Sequence, residues 1–213
     1  MIKNGKKILM KKNKFFKDKS LNLVRFSEKY IEYLSFILKQ LDKKKIEKFE
    51  KLLELARKKK QTIFIAGNGG AAATSITMAN DLGFDILKKT KIKKTFKLQS
   101  LNDNPSVLTA IANDTGYENI FLNQLKIYYK SGDLLVLLSA SGNSLNLIKA
   151  CNWVKQKGGK TIGILGFNGG KLLKKCDLTI HIKTEKNEYG PVEDTQLILN
   201  HILAHWFQKK YVK

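Results

Sequence analysis

The 213-residue chain contains little cysteine, proline or arginine, and it has no long apolar run. Its two cysteines, Cys151 and Cys176, form no C-x-x-C motif, which suits a reducing cytoplasm. No apolar run approaches the roughly 18 residues needed to span a bilayer. The apolar patch at residues 8–10 is shorter than the core of a signal peptide, which needs about 7 to 15 residues. We therefore expect a cytoplasmic protein that is not associated with a membrane.

Arginine is scarce although the chain is strongly basic. The formal net charge is +22, yet only Arg25 and Arg57 are arginines among the 40 basic residues. A basic surface binds nucleic acid non-specifically, but phosphate and base recognition favours the planar fork of arginine. The lysines are also spread along the whole chain, which is typical of a solvated surface. Nucleic-acid binding is therefore the less favoured hypothesis, while the charge should still attract anionic metabolites.

The N-terminal sixty residues differ from the rest. Residues 1–20 carry eight lysines and little periodicity, which predicts a flexible tail. Over residues 21–60, apolar residues recur at helical spacing, which predicts either two helices meeting near residues 41–45 or one bent helix. Such an arm, lying outside a central sheet, needs a partner for its apolar face.

Residues 61–213 alternate between short apolar runs and helical patterns. Apolar runs at residues 63–65, 95–101, 133–138, 161–165 and 178–182 predict five strands. Helices are expected between them and at the end, over residues 71–87, 105–113, 118–130, 144–157 and 191–210. This alternation predicts an α/β fold with a doubly wound five-stranded parallel sheet flanked by helices, and ligands at the carboxyl ends of the strands.

Two loops at predicted strand ends have the composition of anion sites. Gly67-Asn68-Gly69-Gly70 joins the first strand to a helix, where glycine permits close approach and the first helical N–H groups lack partners. Ser139-Ala140-Ser141-Gly142-Asn143-Ser144 follows the third strand and offers three hydroxyl groups. Helix capping by Ser144 is the alternative interpretation of the second loop. The spacing of the first loop fits neither dinucleotide nor P-loop motifs.

The two loops together resemble the sugar isomerase (SIS) domain family, most closely its phosphoheptose isomerase branch. Further similarity is found at residues 108–117 and 193–203, so the resemblance covers roughly residues 25–210. It implies a domain over residues 61–213, an N-terminal arm at residues 21–60 that packs against other subunits, and a homo-oligomer, either a tetramer or a dimer.

The resemblance also assigns catalytic and metal-binding roles. It implies that Asp81 is the base and His201 the acid of an enediol proton transfer. Without the resemblance, a solvated helix carboxylate is the favoured interpretation of Asp81. For His201, a core histidine and a catalytic histidine are then equally supported. The implied ligands for zinc or another divalent metal are Asp81, Glu193 and His201, although Thr77 replaces a family histidine and Glu193 a family glutamine. Eight residues separate Glu193 from His201, about 12 Å along one continuous helix. They share a site only if Glu193 lies at or before the helix start, or if a neighbouring subunit contributes one of them.

For the substrate, the resemblance implies a phosphate site formed by side chains and backbone of both loops. Asp103 or Asn104 is placed to bind sugar hydroxyl groups, with helix capping before Pro105 as the alternative. Ala71 and Ala140 stand where many relatives carry hydroxyl groups. The implied phosphate ligands are Asn68, Gly69, Gly70, Ser139, Ser141 and Ser144.

The implied function is that of a sugar-phosphate aldose–ketose isomerase that converts sedoheptulose 7-phosphate to a heptose 7-phosphate for surface-polysaccharide precursors. The alternative is a non-catalytic SIS module that binds a sugar phosphate or a protein partner. The alanines and the missing metal-site histidine motivate this alternative.

Overall fold

A computed structural model of the chain describes residues 13–212. A short 3-10 helix at Lys14–Lys17 precedes α1 (Leu23–Gln40) and α2 (Lys43–Lys58). The Asp42 side chain accepts hydrogen bonds from the amides of Lys44 and Lys45, so a new helix begins just after α1 has ended. Of the two alternatives for this segment, two separate helices is therefore correct.

The segment after the first strand contains a departure from the predicted helix. Strand β1 (Thr62–Gly67) leads into α3 (Gly70–Asn80), as expected. Instead of continuing to residue 87, α3 passes into a π-helical turn at Asp81–Asp85 and then α4 (Ile86–Lys89). Since π turns widen a helix locally and are frequent at functional sites, the side chain at its start, Asp81, is of interest.

The remaining elements alternate as the sequence predicts. Within residues 13–212, no helix is long and apolar enough to cross a membrane. In chain order these elements are β2 (Lys97–Ser100), α5 (Pro105–Thr115), a 3-10 turn (Tyr117–Asn119), α6 (Ile120–Tyr128), β3 (Leu134–Ser139), α7 (Leu145–Gln156), β4 (Lys160–Leu165), α8 (Leu172–Lys175), β5 (Leu178–His181) and α9 (Tyr189–Tyr211).

The five strands form one parallel sheet in the order β2-β1-β3-β4-β5. Successive strand residues enter two different cores: Ile63 and Ile65 face one layer of helices, while Phe64 and Ala66 face the other. In the central pair Gly67 lies opposite Leu138, so the loops that follow β1 and β3 leave the same edge of the sheet. The predicted α/β class and doubly wound sheet are confirmed.

The N-terminal helices pack on the sheet of their own chain. Tyr33 and Ile37 of α1 and Phe49 and Leu53 of α2 are buried in the same core as β1. We expected the apolar face of this arm to need a partner. That expectation is wrong for the face that contains Tyr33, Ile37, Phe49 and Leu53, because this face packs in the core of its own chain. A second apolar face of α1 remains exposed, at Leu23, Val24 and Ile31.

Part of the predicted flexible tail can be compared with the structure. Residues 1–12 lie outside the described residues. Within residues 13–20, Phe15 is buried and contacts the rings of Phe26 and Tyr33, while the Asn13 amide donates to Glu188. Residues 13–17 therefore belong to the folded domain. The prediction of a flexible tail rested on the lysines and did not take into account the two aromatic residues, Phe15 and Phe16, which pack against α1.

Candidate active site

The loop after β1 presents backbone N–H groups at the start of α3. Gly69 has φ +59°, a conformation that L side chains rarely adopt, and it turns the chain directly into the helix. The Asn68 amide is fixed by a reciprocal pair of hydrogen bonds with the Asn146 amide, at 2.9 and 3.0 Å, and its oxygen also accepts from the Tyr117 hydroxyl. The first predicted loop is therefore preorganised, and it is tied to the second at α7.

The serine loop after β3 has three hydroxyl groups in different surroundings. Ser139 is buried and its Oγ accepts from the Gly142 amide at 2.9 Å, so this side chain shapes the loop. The Oγ of Ser141 accepts from the Asn143 amide at 3.2 Å. Ser144 begins α7 but makes no side-chain capping bond. Capping therefore does not account for Ser144, and its hydroxyl group is available to a ligand.

Amide side chains that the sequence analysis did not single out hold the two loops in place. Asn102 pairs with both backbone groups of Gly67, accepting from its N–H and donating to its C=O. It also accepts from Ser75, which is in contact with Ser100. Asn102 thus continues the hydrogen bonding between β2 and β1 past the last residue of β2, with its side chain in place of a backbone partner. Asn102 and Asn146 carry no local sequence signal, because their roles depend on residues far along the chain.

The two candidates for sugar hydroxyl groups lie at the beginning of α5. The Asn104 side chain accepts from the Val107 amide at 3.1 Å, so it caps α5, as the alternative interpretation held. Asp103 is exposed and has no hydrogen-bond partner within residues 13–212. Of the two, only Asp103 has its side chain free for a ligand.

Asp81 and His201 meet, although 120 positions separate them in the sequence. The His201 Nε2 lies 3.5 Å from Asp81 Oδ2, with His201 about half exposed and Asp81 mostly buried. The buried Asn200 amide donates to Asp81 Oδ2 at 2.7 Å, and Asn80 donates to Oδ1 at 3.1 Å. His201 is thus not a core histidine and Asp81 not a freely solvated carboxylate. Asn200, which orients the carboxylate, was missed by the sequence analysis.

The pair and the two loops lie at opposite ends of α3. Eleven residues separate Gly70 from Asp81, which is about 16 Å along a helix. Helix α9 runs beside α3 in the same direction, since Glu193 is next to Gly70 and Asn200 is next to Asp81. Within one chain, the loops and the acid–base pair therefore lie at two separate places.

The three residues expected to bind a metal do not come together in this chain. Helix α9 is continuous from Tyr189 to Tyr211, so Glu193 lies inside it, two turns away from His201. Within residues 13–212, no group of three His, Cys, Asp or Glu side chains is close enough to hold an ion. Asp81, Glu193 and His201 therefore do not fit a divalent metal within a single chain, and zinc stays a prediction.

A cavity of about 460 Å³ lies elsewhere, between Arg57, the loop at residues 91–94 and residues 210–212. It is remote from both loops and from the acid–base pair. Arg57 is fully engaged there, because it bonds Glu54 twice and the carbonyl oxygen of Lys94. This guanidinium group therefore has a structural role, and the cavity contains none of the site residues predicted from the sequence.

Comparison with known families settles the fold family. Residues 25–166 match the SIS domain. The chain belongs to the SIS domain family. This agrees with the resemblance found in the sequence, and the matched SIS segment contains both polar loops and Asp81. Helix α9, with Glu193 and His201, lies beyond this segment.

Individual relatives extend the SIS match. The chain is 35% identical to the phosphoheptose isomerase of Rhodospirillum rubrum over 142 residues, covering 67% of this chain and 73% of that protein. It is 34% identical to the phosphoheptose isomerase of Clostridium acetobutylicum over 183 residues, covering 84% and 90%. The solved phosphoheptose isomerase of Neisseria gonorrhoeae superposes with a TM-score of 0.75 at 22% identity, covering 87% and 97%. The structural match supports the SIS fold, and the two sequence matches support the phosphoheptose isomerase branch.

Proposed function

We propose that this SIS protein is an aldose–ketose isomerase of the phosphoheptose isomerase type, which converts sedoheptulose 7-phosphate to a heptose 7-phosphate. The observation that carries the proposal is the meeting of Asp81 and His201. A carboxylate beside a half-exposed imidazole supplies the base and the acid that an enediol proton transfer requires. Relatives at 34–35% identity that bear the name phosphoheptose isomerase support the choice of substrate.

The chemistry assigns one role to each side chain. Asp81 removes a proton from C1 of the ketose while His201 donates a proton to the C2 carbonyl oxygen, which forms the enediol. Reprotonation at C2 and loss of the proton from the C1 hydroxyl group then give the aldose. The hydrogen bonds that Asn200 and Asn80 donate to its two oxygen atoms orient the Asp81 carboxylate. Because an aspartate side chain is one methylene shorter than a glutamate side chain, the substrate carbon must approach Asp81 closely.

A homo-oligomer, predicted to be a tetramer, is part of this proposal. The loops and the acid–base pair of one chain lie about 16 Å apart along α3, so a substrate that touches both is better served by loops and a pair from different copies. Exposed apolar residues near the acid–base pair support this arrangement. Ile76, Phe84 and Ile202 flank Asp81 and His201 in sequence and are 45–58% exposed. Apolar side chains of this size around a polar site are typical of a surface that a second chain covers.

Solvent-proton exchange tests the chemistry. The purified protein is incubated with sedoheptulose 7-phosphate in deuterated water, with and without zinc, and C1 and C2 are followed by NMR. We expect deuterium incorporation together with aldose formation. Binding without exchange would overturn the isomerase proposal and favour the non-catalytic SIS module. Comparing the exchange rates with and without zinc shows whether a metal contributes to the reaction.

Subunit mixing tests the shared site. Asp81→Asn leaves the loops intact, and the double variant Ser141→Ala/Ser144→Ala leaves the acid–base pair intact. If each site combines the loops of one chain with the pair of another, unfolding and co-refolding equal amounts should restore activity to about one site in four. A mixture as inactive as its two parents would contradict a site shared between copies. A mixture of Asp81→Asn with His201→Ala is the control and should stay inactive, because both residues belong to the same half-site.

A further inference from the structure

Glu193 lies at the loops rather than at the acid–base pair. It belongs to the first turns of α9, and a Cβ atom added to Gly70 would overlap its carboxylate. The preceding residue, Val192, packs at Gly166, which in turn faces the carbonyl oxygen of Ala140 in the serine loop. The start of α9 therefore lies between the glycine loop (residues 67–70) and the serine loop (residues 139–144). The Glu193 side chain is next to the glycine loop.

Among the described residues, none forms a hydrogen bond or an ion pair with the Glu193 carboxylate, although the chain carries 40 lysines and arginines. The adjacent Asp194 is already bonded to the Tyr30 hydroxyl at 2.5 Å, which fixes this turn of α9 against α1. Burial, and after it the charge of Asp194, raise the pKa of Glu193. An unpaired, partly buried carboxylate is costly unless a ligand uses it.

The position is unusual for a negative charge, because the loop beside it is suited to an anion. The start of α3 presents N–H groups without helical partners and the positive end of a helix dipole. A phosphate monoester bound there occupies one anionic position. A neutral, hydroxyl-bearing carbon chain next to it can donate hydrogen bonds to Glu193, whose oxygens accept but cannot donate. A second anionic group on the same ligand would be repelled.

We propose that Glu193 determines the charge specificity of the site, favouring phosphate monoesters of neutral polyhydroxy chains over sugar phosphates with a second anionic group. This inference rests on the proposed function, since it assumes that the two loops bind the phosphate of a sugar phosphate.

Equilibrium binding to wild type and Glu193→Gln tests the inference. Glutamine keeps the shape of the side chain and removes its charge. The matched probes are fructose 6-phosphate, with a neutral chain, and 6-phosphogluconate, of equal carbon number but with an added carboxylate. We expect Glu193→Gln to bind 6-phosphogluconate at least tenfold more tightly than wild type does. Its affinity for fructose 6-phosphate should rise by a clearly smaller factor, because the carboxylate beside Gly70 also repels the phosphate that both probes share. Glu47→Gln, an exposed carboxylate on α2, is the control for overall charge.

The outcomes separate the inference from the function. An equal gain for both probes would overturn it, because Glu193 would then only weaken phosphate binding in general. No change for either probe would also overturn it, as would a matching gain in Glu47→Gln. The proposed function is tested by a different measurement and fails if no proton exchange with sedoheptulose 7-phosphate occurs. The ratio of the affinities for the two probes can still be measured in that case. Thermal unfolding of both variants shows that the fold is retained.

Discussion

The two ends of α3 differ in how their polar groups are held. At the N-terminal end, the loop side chains are bonded to one another: Asn68 pairs with Asn146, and Asn102 with the Gly67 backbone. At the C-terminal end, Asp81 is oriented by amides, but its partner His201 is half exposed, and exposed apolar residues flank the pair in sequence. At one end the polar groups are held by hydrogen bonds within the chain, while at the other His201 stays open to solvent.

Under the proposed function, this difference separates binding from catalysis. A preorganised loop would bind the phosphate at little further cost in ordering, so a single chain would supply the groups that anchor the substrate. Proton transfer needs, in addition, a water-poor surface around the reacting carbons, which an exposed pair lacks until something covers it. The predictions below test whether the two ends can be disabled separately.

The largest expected effect is the loss of turnover without loss of binding. Asp81→Asn and His201→Ala should each lower kcat by about 10²- to 10⁴-fold, the usual range for removing a general acid or base. The affinity for sedoheptulose 7-phosphate should stay within about threefold, because the loops are untouched. Steady-state kinetics and calorimetric binding measure the two quantities. Equal loss of binding in Asp81→Asn would mean that the two ends of α3 are not independent.

A second prediction tests how rigid the loop end is. Gly142 has φ +64°, and a Cβ atom there would overlap the carbonyl oxygen of Gly169 in the neighbouring loop. Gly142→Ala should therefore lower the free energy of unfolding by about 2–5 kcal/mol, from backbone strain and steric overlap together. Gly158 is the matched control, with φ +73° and open space around its Cβ position. Denaturant unfolding of Gly158→Ala should show only the strain, about 1–2 kcal/mol. Equal losses in both variants would contradict close packing between the serine loop and the loop that contains Gly169.

A third prediction concerns the carboxylate at the other end. Asn200→Ala removes the 2.7 Å bond to Asp81 Oδ2, while Asn80→Ala removes the exposed bond to Oδ1. We expect a decrease in kcat of about tenfold for Asn200→Ala and less for Asn80→Ala, because a misplaced base loses efficiency. If Asn200→Ala lowered kcat no more than Asn80→Ala does, the buried hydrogen bond from Asn200 would not be what positions the Asp81 carboxylate.

The fold was predictable from the sequence because its signals are local. The five apolar runs locate all five strands, and the rule that loops gather at the carboxyl ends of parallel strands brings residues 67–70 and 139–144 together. Helix α1 shows the limit of periodicity. Val24 and Ile31 fit the helical pattern of core residues, yet they are exposed while Tyr33 is buried. An apolar pattern on two faces does not state which face meets the sheet.

The candidate site was predictable only in part. Asp81 and His201 were matched to a family pattern, and their contact confirms that they lie together. Asn102, Asn146 and Asn200 were missed, because a single amide residue has the same local signal in a turn, a cap or a site. The π turn at Asp81–Asp85 likewise replaces part of a helix that the spacing predicts as regular. What decides these features is tertiary contact, which a single sequence does not display.

The smallest expected effect separates ligand binding from helix capping. Ser144 stands at the start of α7 without a capping bond, whereas Asn104 caps α5 through the Val107 amide. Asn104→Ala should therefore cost about 1 kcal/mol of stability, the typical value of a lost cap, and Ser144→Ala less than about 0.5 kcal/mol. In sedoheptulose 7-phosphate binding the order should reverse, with Ser144→Ala weakening affinity more, since its hydroxyl group is free to donate to phosphate. Denaturant unfolding and calorimetry on the same two proteins measure both. If Ser144→Ala lost stability but not affinity, the serine loop would be an ordinary helix start, and the phosphate site would reduce to the backbone at Gly69 and Gly70.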